Sequence, residues 1–172
     1  MATAPGTEVE RGTPVQSEKT DRRKPPLGLM PPAWFLLSIV STALLWWLAP
    51  VKQIVFWPWQ LGGGVLIVLG VGLAVVADQQ FKRHGTTVKP FHESSVLVAD
   101  GVFRLSRHPM YLGMVMAILG IVIAFGALLP FIVPICFAVF LHVAFVRPEE
   151  RDMMEQFGGE YLSYKTRVPQ WL

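Results

Sequence analysis

The chain has 172 residues, of which 52% are hydrophobic and only 16% are charged. Soluble domains are about one quarter charged, so this composition excludes an ordinary soluble protein and indicates an integral membrane protein. The net charge of +3 is explained by the topology described below and by attraction to anionic lipid, and it does not indicate a nucleic-acid partner.

Four apolar runs follow a polar N-terminal segment. Residues 1–28 are rich in proline, threonine, glycine and charge, which predicts a disordered tail. Each apolar run approaches the roughly 17–25 residues that a helix needs to cross a hydrocarbon core. We place the spans at residues 33–49, 60–77, 110–129 and 131–146. The sequence therefore predicts an all-α membrane protein with about four transmembrane helices, all within a single domain at residues 29–172.

Lysine and arginine are distributed very unequally between the segments that connect these spans. If the spans alternate in direction, 14 of the 15 basic residues lie on the side of the two termini, and only Lys52 lies on the other side. Cytosolic segments of membrane proteins carry the excess of positive charge. This pattern predicts that both termini and the long loop at residues 78–109 are cytosolic.

The second span contains five glycines: Gly62, Gly63, Gly64, Gly70 and Gly72. Small residues allow transmembrane helices to approach closely, so the first interpretation is tight helix packing. A cofactor contact at Gly70-Val71-Gly72 is the alternative, although a bare G-x-G is a weak motif.

The loop at residues 78–109 and the tail at residues 147–172 carry the polar motifs. The loop is too polar to enter the bilayer and long for a connector, which favours a functional role, and Asp100-Gly101 predicts a turn within it. In the tail, Pro148 followed by acidic residues predicts the start of a cytosolic helix. Gly158-Gly159 predicts a break in that helix.

The segment R-H-P-M-Y-L-G at residues 107–113 combines charge, an aromatic ring and a helix-starting proline at the edge of an apolar run. Unpaired N–H groups at a helix N-terminus bind polar ligands, and Tyr111 adds a further donor. The alternative interpretation is an ordinary membrane-interface anchor, with Arg107 at the headgroups and Tyr111 in the aromatic belt.

Glu149 and Glu150 form a second polar motif some forty residues later. Two adjacent carboxylates at a membrane surface repel each other and anionic lipid, so they favour a cationic partner. One interpretation is a solvated helix start, and the other is a cationic ligand such as a sulfonium cofactor with a free amino group. The four histidines, at positions 84, 92, 108 and 142, lack metal-site spacing, and the sequence has neither a phosphate-binding loop nor a Rossmann motif.

An ordered set of short motifs covers about half of the chain, from residue 87 to residue 171. The motifs are Leu97-Val98, Gly101-Val102-Phe103, R-H-P-M-Y-L-G, E-E, F-G-G-E-Y-L-S-Y and R-V-P. This set resembles the isoprenylcysteine carboxyl methyltransferase family, and the small phospholipid N-methyltransferases share much of the pattern. The resemblance implies methyl transfer from S-adenosylmethionine to a membrane lipid or lipidated acceptor at the cytosolic face. Isoprenylcysteine carboxylate-type O-methylation is the first expectation, and phospholipid amine N-methylation is the alternative.

The resemblance also implies roles for individual residues. The expected cofactor-binding residues are Ser95, Val96, Leu97, Val98, Phe103, His108, Pro109, Met110, Tyr111, Gly113 and Glu149. Arg107 and Glu150 are the candidate catalytic residues, and Arg147 is the candidate substrate-binding residue. Two positions depart from the family pattern: Phe103 stands where the family usually has tyrosine, and the family's substrate-contacting arginine aligns near Phe145.

Two further classes remain open at this point. Membrane sterol reductases, which use NADPH, have a related C-terminal half, but their signature has asparagine where this chain has Met110. A non-catalytic membrane scaffold would keep the architecture without turnover. Binding of S-adenosylhomocysteine discriminates a methyltransferase from both.

Overall fold

A computed structural model describes residues 30–48, 52–83 and 97–172. These residues are helical almost throughout; they include no strand, and only Gln53 and Ala127 form an isolated bridge. The prediction of an all-α protein is confirmed. The predicted N-terminal tail lies outside the described residues.

Six α-helices make up most of the described part of the chain. They are α1 Pro31–Leu48, α2 Gln60–Arg83, α3 Pro109–Phe125, α4 Ile132–Leu141, α5 Arg147–Phe157 and α6 Gly159–Arg167. A π-helical segment, His142–Val146, joins α4 to α5 without a break. Within the described ranges, three helical runs are long and apolar enough to cross a membrane, namely α1, α2 and the run Leu129–Phe157, whereas α3 is a shorter apolar helix of 17 residues.

Two helices end at other residues than the apolar spans placed from the sequence. Helix α2 continues to Arg83, beyond the apolar span at residues 60–77. Asp78 and Lys82 form a salt bridge one turn apart in this extension, and its basic side chains lie at the helix C-terminus, where they are favourable. Helix α3 ends at Phe125 instead of residue 129, because Gly126 adopts a left-handed conformation with φ of 72°. Gly158, with φ of 51°, separates α5 from α6 as predicted.

The α1–α2 and α3–α4 connections meet at one end of the helical bundle. The amide of Ile54 donates a 2.8 Å hydrogen bond to the carbonyl of Gly126. Trp46 of α1 stacks on Phe125 of α3 with ring centroids 5.1 Å apart. The C-terminal end of α2, the N-terminal end of α3 and the start of α5 therefore lie at the opposite end of the bundle.

Glycines bring the backbones of α2 and α3 into direct contact at two levels. A Cβ atom added to Gly70 would lie 2.6 Å from the carbonyl oxygen of Gly113, and one added to Gly63 would lie 2.5 Å from that of Gly120. A Cβ on Gly72 would meet nothing within 4 Å. The packing interpretation is therefore confirmed for Gly63 and Gly70, and this contact fixes the position of α3 along α2.

A buried cluster connects the start of α3 with the end of α4. Tyr111, Phe137, Leu141 and Phe145 belong to it, and Trp34 of α1 packs against it. Since α5 follows directly after this cluster, the packing brings the N-terminal end of α5 close to the N-terminal end of α3.

Candidate active site

The segment before α3 is held in place by a buried serine. The hydroxyl of Ser106, a residue that is only 1% exposed, donates a hydrogen bond to the carbonyl of Gln170 and accepts one from the amide of His108. The amide of Arg107 donates to the carbonyl of Pro169. These bonds fix the backbone of the R-H-P-M-Y-L-G segment, and Pro109 then starts the helix as predicted.

Glu149, in the first turn of α5, lies against the first turn of α3. Its Oε1 accepts a 2.6 Å hydrogen bond from the Tyr111 hydroxyl, and its Oε2 lies 3.6 Å from His108 Nδ1. The rings of His108 and Tyr111 stack with centroids 5.8 Å apart. The structure therefore brings the two polar motifs together.

Glu150 faces two cations. Its Oε1 lies 2.7 Å from a terminal nitrogen of Arg107, and its Oε2 lies 3.3 Å from Lys165 Nζ. The Arg107 side chain is 8% exposed and that of Glu150 is 11% exposed, so this ion pair is largely shielded from solvent. Arg107 also donates to the carbonyl of Lys165. Sequence reasoning missed Lys165. The only local signal for it is that it directly follows the E-Y-L-S-Y segment, one helical turn after Tyr161.

The two adjacent carboxyl groups have opposite electrostatic environments. Burial raises the pKa of Glu150, but the imidazole of His108, whose Nε2 lies 3.5 Å from Oε1, and the charge of Arg107 outweigh it and lower that pKa from 4.5 to about 2. Burial raises the pKa of Glu149 above 4.5, although the charge of His108 and the hydrogen bond from Tyr111 act in the other direction. Glu150 is therefore ionised, and basic groups of the fold balance its charge. Among the described residues no lysine or arginine forms a salt bridge with Glu149, so this carboxylate alone still favours a cationic partner.

The predicted residues of the long loop form a second, apolar part of the site. Phe103 and Val98 are buried together against Ala77 near the end of α2, and Met110 of α3 packs on them. Leu97 packs instead against the buried cluster of α6. Ser95 and Val96 lie outside the described residues.

The first turn of α3 connects the apolar and polar parts. Met110 contacts the Phe103 cluster, and the next residue, Tyr111, contacts Glu149. Pro109 is fully buried, and Gly113 lies against Gly70 of α2. The predicted cofactor residues within the described range therefore converge on one end of the bundle.

The predicted substrate residue stands apart from this cluster. Arg147 is exposed at the start of α5 and forms no ion pair with a described residue. Phe145, near which the substrate-contacting arginine of the resembled family aligns, is fully buried. The structure does not bring Arg147 into contact with Glu149 or Glu150.

An open apolar groove of about 260 Å³ runs between α1, α2 and α3. Its lining residues are Phe35, Gly70, Val71, Ala74, Val75, Asp78, Gly113, Met114 and Ala117. Gly113 belongs to the R-H-P-M-Y-L-G segment, so the groove reaches the first turns of α3. Among the described residues that line it, only Asp78 is charged.

The fold and the site together define an integral membrane protein with a polar cluster at one end of a helical bundle. The chain belongs to the phospholipid methyltransferase family, because the model of this family matches residues 59–160. The match runs from the residue before α2 to the start of α6, and it includes the R-H-P-M-Y-L-G segment and both glutamates.

Two curated relatives carry the same name, protein-S-isoprenylcysteine O-methyltransferase. The Saccharomyces cerevisiae protein is 33% identical over 115 residues, which are 62% of this chain and 45% of that protein. The Rattus norvegicus protein is 29% identical over 148 residues, which are 77% of this chain and 50% of that protein. This chain thus spans about half the length of the curated relatives it matches. No solved structure matches it.

Proposed function

We propose that the protein transfers a methyl group from S-adenosylmethionine to a lipid-like or prenylated acceptor, by isoprenylcysteine carboxylate-type O-methylation. The observation that carries this proposal is the Glu149 carboxylate, which is oriented by Tyr111 and His108 but forms no salt bridge with a lysine or arginine among the described residues. Membership of the phospholipid methyltransferase family and the names of the two curated relatives support it.

The residues present fit the cofactor. Glu149 offers a carboxylate for an ammonium group, and Met110, Phe103, Val98 and Leu97 supply apolar side chains at the same end of the bundle. Arg107 Nε is buried and has no hydrogen-bond partner among the described residues, which leaves a donor for a bound ligand. When bound, S-adenosylmethionine supplies an electrophilic methyl group on a positively charged sulfur.

The protein's own contribution to such a reaction is positioning and electrostatics. A carboxylate acceptor attacks without losing a proton, so O-methylation needs no general base. Arg107 remains the candidate for orienting an anionic acceptor, and Glu150 and the carbonyl of Lys165 hold its guanidinium at the site. Arg147 remains a predicted substrate residue that would act from the exposed start of α5.

The groove between α1, α2 and α3 offers a route for the acceptor. Its lining is apolar and it reaches Gly113 and Met114 in α3, so an acceptor's hydrocarbon tail would lie in the groove while its head meets the polar cluster. The predicted topology places that end of the bundle at the cytosolic face, since the basic residues of the loop and tail are on that side.

One observation favours the alternative, methylation of a phospholipid amine. Asp78 lines the groove, and its carboxylate would attract an amine and repel a carboxylate. Lys82 pairs with Asp78 and reduces this effect, so O-methylation stays the first proposal. Membership of the phospholipid methyltransferase family argues against the sterol-reductase hypothesis. Measured methyl transfer would distinguish an enzyme from a non-catalytic scaffold.

A labelling experiment tests the proposal. The full chain in lipid nanodiscs is incubated with methyl-labelled S-adenosylmethionine and either a farnesylated cysteine or phosphatidylethanolamine. We expect label on the farnesylated cysteine as an ester that alkali releases. Label on the phosphatidylethanolamine amine would establish the alternative, and a folded protein that binds no S-adenosylhomocysteine would refute both.

A further inference from the structure

The turn that carries Phe103 is bonded to α6 from one side. The hydroxyl of Tyr164 donates a 2.7 Å hydrogen bond to the carbonyl of Phe103, and this bond is buried. Tyr164 itself is 4% exposed and packs with Tyr161 and Val168. Sixty-one residues separate the donor from the acceptor, so the bond ties two distant parts of the chain together.

The same turn is bonded to α2 from the other side. Gln80 Oε1 accepts a 3.1 Å hydrogen bond from the amide of Val102. Gly101 has φ of 54°, and a Cβ atom there would overlap the amide group of the Gln80 side chain. The glutamine therefore occupies the space that the missing side chain leaves, and the positive φ at this position favours glycine.

Packing fixes the Phe103 ring between these two bonds. The ring meets that of Phe81 of α2 edge to face, with centroids 4.8 Å apart. Met110 covers the same cluster. Since Phe103 has no hydroxyl, its own side chain forms no hydrogen bond, and its position depends on packing and on the two backbone bonds of the turn.

Helix α6 connects this turn to the charged cluster through consecutive residues. Tyr164 bonds to the Phe103 carbonyl, while Lys165 pairs with Glu150 and accepts a hydrogen bond from Arg107 through its carbonyl. One short helix thus sets the relative position of the apolar and the charged parts of the site. Neither Gln80 nor Tyr164 was among the predicted site residues.

We propose that Gln80 and Tyr164 are positioning residues that hold the Gly101–Arg104 turn in the conformation that binds the cofactor. This inference rests on the proposed function. Neither side chain has a role in the methyl transfer itself, so releasing the turn weakens cofactor binding and leaves the chemistry of the bound complex unchanged. The expected kinetic effect is a raised KM for S-adenosylmethionine with kcat retained.

The test uses Tyr164→Phe, Gln80→Leu and Gln80→Glu in the full chain in nanodiscs. Tyr164→Phe removes the hydrogen bond to the Phe103 carbonyl, and Gln80→Leu removes the acceptor of the Val102 amide. We expect the affinity for S-adenosylhomocysteine to fall at least about three- to tenfold in each variant, as the loss of such a bond gives. Gln80→Glu keeps an acceptor oxygen for Val102 and should retain affinity close to that of the unaltered chain. Gln79→Leu, at the exposed neighbouring position, is the matched control and should change nothing.

Amide hydrogen exchange of residues 97–104 gives a second measurement that needs no cofactor. We expect faster exchange in this segment for Tyr164→Phe and Gln80→Leu, with α3 and α5 unchanged. Because both bonds hold one turn, the double variant should lose less affinity than the two single losses combined.

The outcomes separate this inference from the proposed function. If the unaltered chain binds no S-adenosylhomocysteine, the proposed function fails, and unchanged exchange in both variants would overturn the positioning role as well. If the chain binds the ligand but both variants keep its affinity and its exchange pattern, only the positioning role is overturned. If Tyr164→Phe loosens the whole fold, the comparison of Gln80→Leu with Gln80→Glu is decisive. Equal affinities of these two variants for S-adenosylhomocysteine would overturn the inference, and a higher affinity of Gln80→Glu would support it.

Discussion

The Tyr111 hydroxyl donates a 2.6 Å hydrogen bond to Glu149 Oε1 and thereby joins the first turn of α3 to the first turn of α5. Tyr111 is 8% exposed, so this bond is shielded from water. Short hydrogen bonds to ionised acceptors are stronger than neutral ones. The carboxylate is therefore oriented before any ligand arrives, with its second oxygen close to His108.

Glu149→Gln should weaken binding of S-adenosylhomocysteine about tenfold or more, because the variant loses the charge that attracts an ammonium group. Glutamine keeps the size of the side chain and can still accept the hydrogen bond of Tyr111, so the fold should be retained. Isothermal titration of the detergent-solubilised protein measures the affinity.

Glu155→Gln is the matched control for this variant, since Glu155 is exposed on the same helix. It should bind the ligand as the unaltered chain does. Equal affinity in Glu149→Gln and Glu155→Gln would remove Glu149 from the cofactor site.

Glu150 should contribute to stability in a pH-dependent manner. Its pKa is lowered from 4.5 to about 2 in the folded chain, so the fold favours the ionised form. This contribution is complete above pH 4.5 and is lost as the pH falls from 4.5 towards 2.

The measurement for this second prediction is the midpoint of thermal unfolding of the unaltered chain and of Glu150→Gln across that pH range. The unaltered chain should be the more stable of the two at neutral pH, and the difference should shrink as the pH falls. A difference that stays constant down to pH 2 would show that the Arg107–Glu150 pair does not lower the pKa of this carboxyl group.

Much of the architecture follows from local properties of the sequence. Long apolar runs predict helices because the membrane requires internal hydrogen bonding of the backbone, and the order of R-H-P-M-Y-L-G and Glu149-Glu150 around a hairpin predicts their meeting. Gly158 was also predicted correctly as a helix break, since glycine tolerates positive φ.

Other features depend on contacts that no local pattern contains. Lys165 and Tyr164 reach the site only because α6 folds back onto the loop before α3. The pairing of Glu150 with Arg107 and Lys165 was missed for the same reason.

Gly70→Ala and Gly113→Ala should each destabilise the protein by about 1–3 kcal/mol, as overpacking of a close-packed interface does. Their added Cβ atoms would lie 2.6 and 2.4 Å from the opposite backbone carbonyl oxygen, so α2 and α3 must separate. Gly72→Ala, whose Cβ would meet nothing within 4 Å, is the control on the same helix. Thermal unfolding in detergent measures the stability of each variant, and Gly72→Ala should have the highest midpoint of the three. Equal midpoints for all three variants would contradict the helix contact.

Val71→Trp should separate acceptor binding from cofactor binding. Val71 lines the groove between α1, α2 and α3, and it is 47% exposed, so a larger side chain can enter the groove without disturbing the core. We expect the KM for the lipid acceptor to rise by at least about tenfold, with the affinity for S-adenosylhomocysteine unchanged. Val68→Trp, at a position on the same helix that is 71% exposed and outside the groove lining, should leave both values as they are. Steady-state kinetics with a farnesylated cysteine measures the first quantity and titration the second. If both tryptophan variants keep the acceptor KM of the unaltered chain, the acceptor's tail does not occupy this groove.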